Sequence, residues 1–253
     1  MEKLLPPDLE ARTKNAVKRF WSGRLDTAVA SQEGGRGSVI RGNNLDGFAD
    51  IIKHICLHCG LSEDHVIISG RTRLTVPGYF RPTKMWDSLI IYKGRLVAAF
   101  EFKSQVGPSF GNNFNNRSEE SIGSASDFWI AHRENAFSFL GESGNAHNIK
   151  PPFLGFLMLL EDCEASKRSV RVDDANFKPF PEFVDSSYAR RYELLIERMV
   201  AEKLYSSGCL ILTDREAGAR SGNYLCPNDL LSPLSLFADL AGTLFAAKET
   251  YSN

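Results

Sequence analysis

Residues 153–160, Phe-Leu-Gly-Phe-Leu-Met-Leu-Leu, hold no polar side chain and follow Pro151-Pro152. A strand with one wet face alternates polar and apolar residues, so this run fits a strand buried on both faces. A strand so enclosed needs helices above and below it. The run therefore points to a layered α/β chain.

The remaining pattern supplies those helices and further strands. Asp8 follows two prolines as a plausible N-cap, and Leu9, Ala16, Val17 and Phe20 recur at helical spacing over 8–20. Gly34, Gly35, Gly37 and Gly42 mark a loop over 32–42. Leu45, Phe48, Ile52, Ile55 and Cys59 form the apolar stripe of a helix over 44–60. Short strands are expected at 65–69, 88–92, 96–102 and 208–213, and helices at 118–140 and 188–205. A last helix starts at Ser232-Pro233, with Ser232 as cap. The stretch 107–116, rich in Gly, Pro and Asn, reads as a loop. The expected architecture is α/β, a mixed sheet with helices on both faces, in one domain over residues 1–253 with helical elaborations at both ends.

With 43% apolar and 24% charged residues the composition is that of an ordinary globular protein, so function must come from pattern. The N-terminus has no apolar run suited to a signal peptide, and no segment approaches the length of a membrane span, so a cytoplasmic protein without membrane contact is expected. Five cysteines, an odd number, fit a reducing compartment with free thiols. His54, Cys56, His58 and Cys59 resemble a zinc cluster only in one dimension: on a helix Cys56 and Cys59 share one face and His54 and His58 another. Ordinary packing is the expectation there.

The chemistry concentrates in residues 86–103. Lys93-Gly94 sits between two strand patterns and can supply a tight hairpin turn. Asp87 then lies at the start of one strand and Glu101 and Lys103 at the end of its neighbour, so all three meet at the hairpin's open end. Residues two apart on a strand share a face, which sets Glu101 beside Lys103 and turns Phe100 and Phe102 into the core. Two carboxylates suit a hard cation such as Mg²⁺, and an adjacent lysine can orient or help deprotonate a water. Asp87 and Glu101, with the Phe102 carbonyl as a third donor, are the expected metal ligands, and Lys103 the water-activating group. Phosphodiester hydrolysis calls for such a set. From these residues alone a surface ion pair at two strand ends remains open, as do a structure-selective repair or junction nuclease and a non-catalytic DNA-binding protein.

Asp87, thirteen intervening residues and then Glu101-Phe102-Lys103 resemble the PD-(D/E)XK nuclease superfamily, with Trp86 in place of the proline. Residues 101–120, from Glu101-Phe102-Lys103-Ser104-Gln105 through Asn112-Asn113-Phe114-Asn115-Asn116-Arg117, are similar to the XhoI-type restriction endonucleases. So are Gly123-Ser124-Ala125-Ser126-Asp127-Phe128-Trp129, Gly42-Asn43-Asn44-Leu45-Asp46-Gly47-Phe48 and Phe153-Leu154-Gly155-Phe156. The resemblance implies the restriction-endonuclease-like fold and a homodimer that cuts double-stranded DNA at the palindrome CTCGAG, or a longer site containing it. Cleavage would follow the first C and leave four-base 5′ overhangs. It also implies a companion DNA methyltransferase, without which the enzyme would destroy its host's genome.

A net charge of −1 is at odds with bulk attraction to DNA, so distribution has to carry it. Arg71, Arg73, Arg81 and Lys84 occur with no acid among them, while acids gather at Glu161, Asp162 and Glu164 and at Asp173 and Asp174. Asn and Arg can read adenine and guanine edges, so Asn112, Asn113, Asn115, Asn116 and Arg117 are candidate DNA contacts, with Ser104, Gln105 and the four basic residues. Asp46 or Glu33 is a candidate auxiliary acid.

Overall fold

The computed structural model describes residues 4–32, 45–137, 150–173 and 176–251. Helix α1 (Leu9–Gln32) and helix α2 (Asp46–His58) precede strand β1 (Val66–Ile67). A small hairpin of β2 (Thr75–Pro77) and β3 (Thr83–Met85) leads into β4 (Ser88–Tyr92) and β5 (Arg95–Gln105). Then come α3 (Phe110–Arg133), β6 (Phe153–Glu161), α4 (Glu164–Lys167), α5 (Tyr188–Ala201), β7 (Ser207–Thr213), α6 (Arg215–Ser221) and α7 (Pro233–Tyr251). The main sheet has the order β1-β4-β5-β6-β7. Its first two pairings are antiparallel and its last two parallel, so it is mixed, as expected.

Strand β6 is buried at every position. Its side chains alternate between two cores: Phe153, Leu157 and Leu159 face α1, α2 and α7 through Phe20, Phe48, Phe237 and Leu240. Leu154, Phe156, Met158 and Leu160 face α3 and α5 through Phe128, Tyr192 and Ile196. The apolar run is thus explained by two helical layers that exclude water from both sides of one strand. Gly155 has a specific reason to be glycine, because a Cβ there would overlap the ring of Phe100 on β5.

The β4–β5 hairpin turns at Lys93-Gly94 with φ of 49° and 75°, the paired positive values of a type I′ turn. Ser88 pairs with Phe100 and Tyr92 with Arg95, and β5 runs on past the end of β4 to Gln105. That overhang brings β5 residues 101–105 into the parallel ladder with β6.

Several elements and boundaries differ from the sequence-based expectation. Helix α1 continues to Gln32, beyond residue 20. The β2–β3 hairpin and α6 were not anticipated, since three-residue strands and a seven-residue helix carry little periodic signal. The Asn-rich segment is not a loop: α3 begins at Phe110 and ends at Arg133, not 118–140. Phe110 and Phe114, one turn apart, pack on Tyr188 and Tyr192 of α5 with ring centroids 5.1–6.4 Å apart. This tertiary contact outweighs the poor helix propensity of glycine and asparagine.

The five cysteines are free, with Cys56, Cys59 and Cys209 buried. Among the described residues no helix is long and apolar enough to cross a membrane.

Replacing Gly155 by Ala should destabilise the fold by about 1–3 kcal/mol through overpacking against Phe100. Urea unfolding should show a lower midpoint with an unchanged slope.

Candidate active site

The open end of the β4–β5 hairpin holds a connected set of charged groups. Asp87 stands just before β4, where its N–H donates to the Phe100 carbonyl at 3.0 Å and its Oδ2 accepts the Phe102 N–H at 2.7 Å. Backbone groups of alternate strand residues face the same edge, so the Phe102 carbonyl lies on this edge too.

Glu101 points to the opposite face from Phe100 and Phe102, towards α3 and α5, and is only 1% exposed. Its Oε1 is 2.9 Å from Lys103 Nζ and 3.2 Å from Lys84 Nζ, and its Oε2 accepts the Tyr205 hydroxyl at 2.6 Å. Lys103 Nζ also lies 3.3 Å from Glu120 Oε2 on α3, which accepts from Arg117 Nη1 at 2.6 Å. The result is a chain of alternating charge, Lys84–Glu101–Lys103–Glu120–Arg117.

The two acids at the hairpin end sit in different environments. Burial raises the Glu101 carboxyl, but Lys103, Lys84 and the Tyr205 hydroxyl outweigh it and hold the group below its ordinary value. Desolvation raises the Asp87 carboxyl; the Phe102 N–H opposes this and the neighbouring Glu101 charge adds to it, leaving the net value raised. Burial lowers the Lys103 ammonium, yet Glu101 and Glu120 more than compensate, so it stays charged.

Two cavities open on this chain. One of about 250 Å³ is lined by Asp46, Asp87, Phe102, Lys103, Ser104 and Arg117. The other, about 500 Å³, includes Phe80, Arg81, Lys84, Glu101, Lys103 and Glu120. Lys103 forms part of both walls.

The family model for restriction endonuclease XhoI matches residues 25–225, a span that contains every residue of the charged chain. The chain belongs to the XhoI restriction endonuclease family. It is 47% identical over 209 residues to the type II restriction enzyme BstVI of Geobacillus stearothermophilus, covering 80% of this chain and 88% of that one. It is 48% identical over 188 residues to the type II restriction enzyme XhoI of Xanthomonas vasicola, covering 73% of this chain and 72% of that one. A third relative, the type II restriction enzyme AbrI of Azospirillum brasilense, is 47% identical over 166 residues, 64% of this chain and 70% of its own. No solved structure gives a significant match. Family membership makes the chain a type II restriction endonuclease, a site-specific nuclease of double-stranded DNA.

In this family member the hairpin brings Asp87, Glu101 and Lys103 to one end, and the 250 Å³ cavity adds Asp46, at the first turn of α2. Desolvation raises the Asp46 carboxyl, with Arg19 opposing and Asp50 adding. Glu33 lies outside the described residues. Asn112, Asn115 and Asn116 are exposed and Asn113 half-buried, all on the first turns of α3 and not on a loop. Arg117 turns into the 250 Å³ cavity beside Asp87.

Several expected DNA contacts are otherwise occupied. Gln105 is 2% exposed, and its amide donates to the Val106 and Ser109 carbonyls at 3.0 and 3.4 Å, so it shapes the turn into α3 and has no amide group at the surface, contrary to the expected DNA contact. Ser104 Oγ accepts from Arg24 at 3.1 Å. Arg81 pairs with Asp127 at 2.8 Å, Lys84 belongs to the charged chain, and Arg71 and Arg73 remain exposed. In the former zinc candidate, Cys56 and Cys59 pack in the core while His54 Nε2 sits 3.1 Å from Asp8.

Sequence reading missed Tyr205 and Glu120. Glu120 was detectable in principle as the i+3 partner of Arg117 had the helix been started early enough. Tyr205 lies 104 residues from Glu101 and carries no local signal.

Tyr205→Phe keeps the ring but removes the hydrogen bond to a buried carboxylate, and should cost about 1–3 kcal/mol of stability. Glu101 is held below its ordinary 4.5 in the folded protein, so its stabilising contribution is complete above that value and is lost as pH falls through the folded value. Removing one interaction that lowers it should move that loss to higher pH. Urea titrations of both proteins between neutral and acidic pH would show the displacement.

Proposed function

We propose that this enzyme hydrolyses double-stranded DNA at CTCGAG, or a longer site containing it, after the first C, using Mg²⁺ held by Asp87, Glu101 and the Phe102 carbonyl. The observation that carries the reading is the meeting of Asp87, Glu101 and Lys103 at one hairpin end: Asp87 and Lys103 line a cavity with Arg117, and Glu101, in the adjoining cleft, pairs with Lys103 at 2.9 Å. The site sequence itself rests on the likeness of residues 101–120 to XhoI-type enzymes.

The donor set fits a hard cation. Among the described residues no three His, Cys, Asp or Glu side chains converge as a metal cage. Mg²⁺ does not need one, since it retains waters and takes one or two carboxylates together with substrate phosphate. The raised carboxyl of Asp87, crowded by Glu101, is the kind of group a cation would relieve. When bound, the ion supplies charge stabilisation on the phosphate and acidifies an attacking water.

The chain's own groups do the rest. The Phe102 N–H fixes one Asp87 oxygen, and Tyr205 fixes Glu101 Oε2, so both carboxylates are oriented before substrate arrives. Lys103, held as an ammonium, donates hydrogen bonds that orient the water and stabilise negative charge developing on the phosphate. Arg117, within the same cavity, contacts the DNA backbone at the scissile position. The exposed Asn112, Asn115 and Asn116 on α3 supply base-edge contacts. Two copies related by a two-fold axis present one site to each strand of the palindrome, in a cytoplasm where a companion methyltransferase protects host DNA.

Incubation with unmethylated DNA and Mg²⁺, followed by sequencing of the ends, should give CTCGAG sites cut after the first C. Ends without a common sequence would refute the assignment. Asp87→Ala and Glu101→Ala should abolish cleavage while Ca²⁺-supported binding survives, and Lys103→Ala should be inactive yet still bind the metal. Arg117→Ala should weaken binding equally on CTCGAG and random duplexes, with a shallower salt dependence. Loss confined to CTCGAG would instead make Arg117 a base reader. Light scattering should show a dimer.

A further inference from the structure

The β2–β3 hairpin ends in a turn, residues 78–82, whose backbone is fixed and whose rings are bare. Asp127 on α3 is 3% exposed, and its Oδ1 accepts the N–H groups of both Tyr79 and Phe80 at 2.7 Å. Its Oδ2 accepts Arg81 Nε at 2.8 Å. Burial pushes the Asp127 carboxyl up, but Arg81 and the two amides hold it below the usual range, so these bonds are to an ionised group. Gly78 completes the anchor, because a Cβ there would meet Asp127 Oδ2 at 2.5 Å and the Arg81 carbonyl at 2.7 Å.

The side chains so presented point outward. Phe80 is 73% exposed and Tyr79 55%, stacked edge to face with centroids 5.0 Å apart, and Met85 on β3 is 54% exposed. Tyr79 and Phe80 touch each other, so their rings form one contiguous apolar surface, the kind of surface that marks a contact site when it is left bare. Their position identifies the occupant. Phe80 lines the 500 Å³ cleft together with Lys84, Glu101, Lys103 and Glu120, and Lys103 also walls the 250 Å³ cavity, so the tip stands on the neighbouring side of the lysine that would meet the phosphate. A protein partner seated on these rings would obstruct the approach to that lysine.

We propose that the Tyr79–Phe80 tip is a preorganised aromatic wedge that enters a base step of the duplex beside the scissile phosphate, its stacking on the opened step offsetting part of the unstacking cost. This rests on the reading of Asp87, Glu101 and Lys103 as a DNA-cleaving centre. Rings neutralise no phosphate, so the contact is independent of salt, unlike those of Arg71, Arg73 or Arg117. Because Asp127 has already ordered the turn, little ordering entropy opposes stacking at the moment of binding.

The test measures Kd with Ca²⁺ across a salt series, on CTCGAG and random duplexes, for wild type, Phe80→Ala, Phe80→Leu and Phe80→Trp, with single-turnover cleavage in Mg²⁺ and light scattering alongside. Phe80 is solvent-exposed, so the variants should fold as wild type does. Stacking on a free base is worth roughly 5- to 150-fold, and opening a base step offsets part of it, so Phe80→Ala is expected to weaken binding by roughly 5- to 20-fold. The slope of log Kd against log salt should stay unchanged. Phe80→Trp should retain affinity and cleavage, and Phe80→Leu should not. Wild-type affinity and cleavage in Phe80→Ala would overturn the inference, as would Phe80→Leu matching Phe80→Trp. Conversion of the variant to monomers would also overturn it, and would assign the tip to a subunit interface. If wild type binds CTCGAG no better than random DNA, the site assignment fails separately, and the effect of Phe80 is then read on random duplex.

Discussion

The buried Glu101 carboxylate sets the terms for the whole centre. A charge that is 1% exposed carries a desolvation penalty of several kcal/mol, which only well-placed partners offset. Those partners come from separate parts of the chain: Lys84 from β3, Lys103 from β5 and Tyr205 from the segment before β7. Removing Tyr205 takes a hydrogen bond from the buried carboxylate, and removing either lysine takes one of its two cationic partners. The β2–β3 hairpin, the β4–β5 hairpin and the α5–β7 connection are therefore coupled through a single side chain.

Asp87 provides the contrast. It stands at the cavity wall, has one backbone donor and has its carboxyl raised, whereas Glu101 is enclosed, ion-paired and lowered. Neighbouring acids driven in opposite directions take different parts in a reaction. In the proposed mechanism Asp87 is the group that most needs a cation, and Glu101 is the group that keeps Lys103 charged and holds both Lys103 and Lys84 in place. Glu120 extends the same logic outward by tying Lys103 to Arg117, so a ligand that engages Arg117 also changes what Lys103 faces.

The overall charge of −1 loses its force as an objection once the groups are located. Lys84, Lys103 and Arg117 are gathered at the cavities, although each is partnered by an acid in the protein alone. Phosphates competing for these cations would exchange one anion for another, which limits bulk affinity and favours recognition through shape and base contacts. An aromatic tip beside the cleft is consistent with such an economy of charge.

Local patterns were legible. The both-face burial of β6, the Lys93-Gly94 turn and the side-by-side placement of Glu101 and Lys103 follow from strand periodicity and turn geometry, which involve only neighbouring residues. The α/β class followed from these, because a strand with two apolar faces permits few architectures. The start of α3 was not legible, since Gly and Asn argue against a helix and only the packing of Phe110 and Phe114 on Tyr188 and Tyr192 reverses that preference. The burial of Gln105 was not legible for a related reason: its polar type suggests a surface, but its amide is consumed by the backbone of the following turn. Tyr205 on Glu101 and Asp127 under the Tyr79–Phe80 turn join residues 104 and 47 to 48 positions apart. Contacts at such separations leave no periodic trace, so the sequence determined which strands carry the acids and the tertiary structure alone decided how those acids are held and what surrounds them.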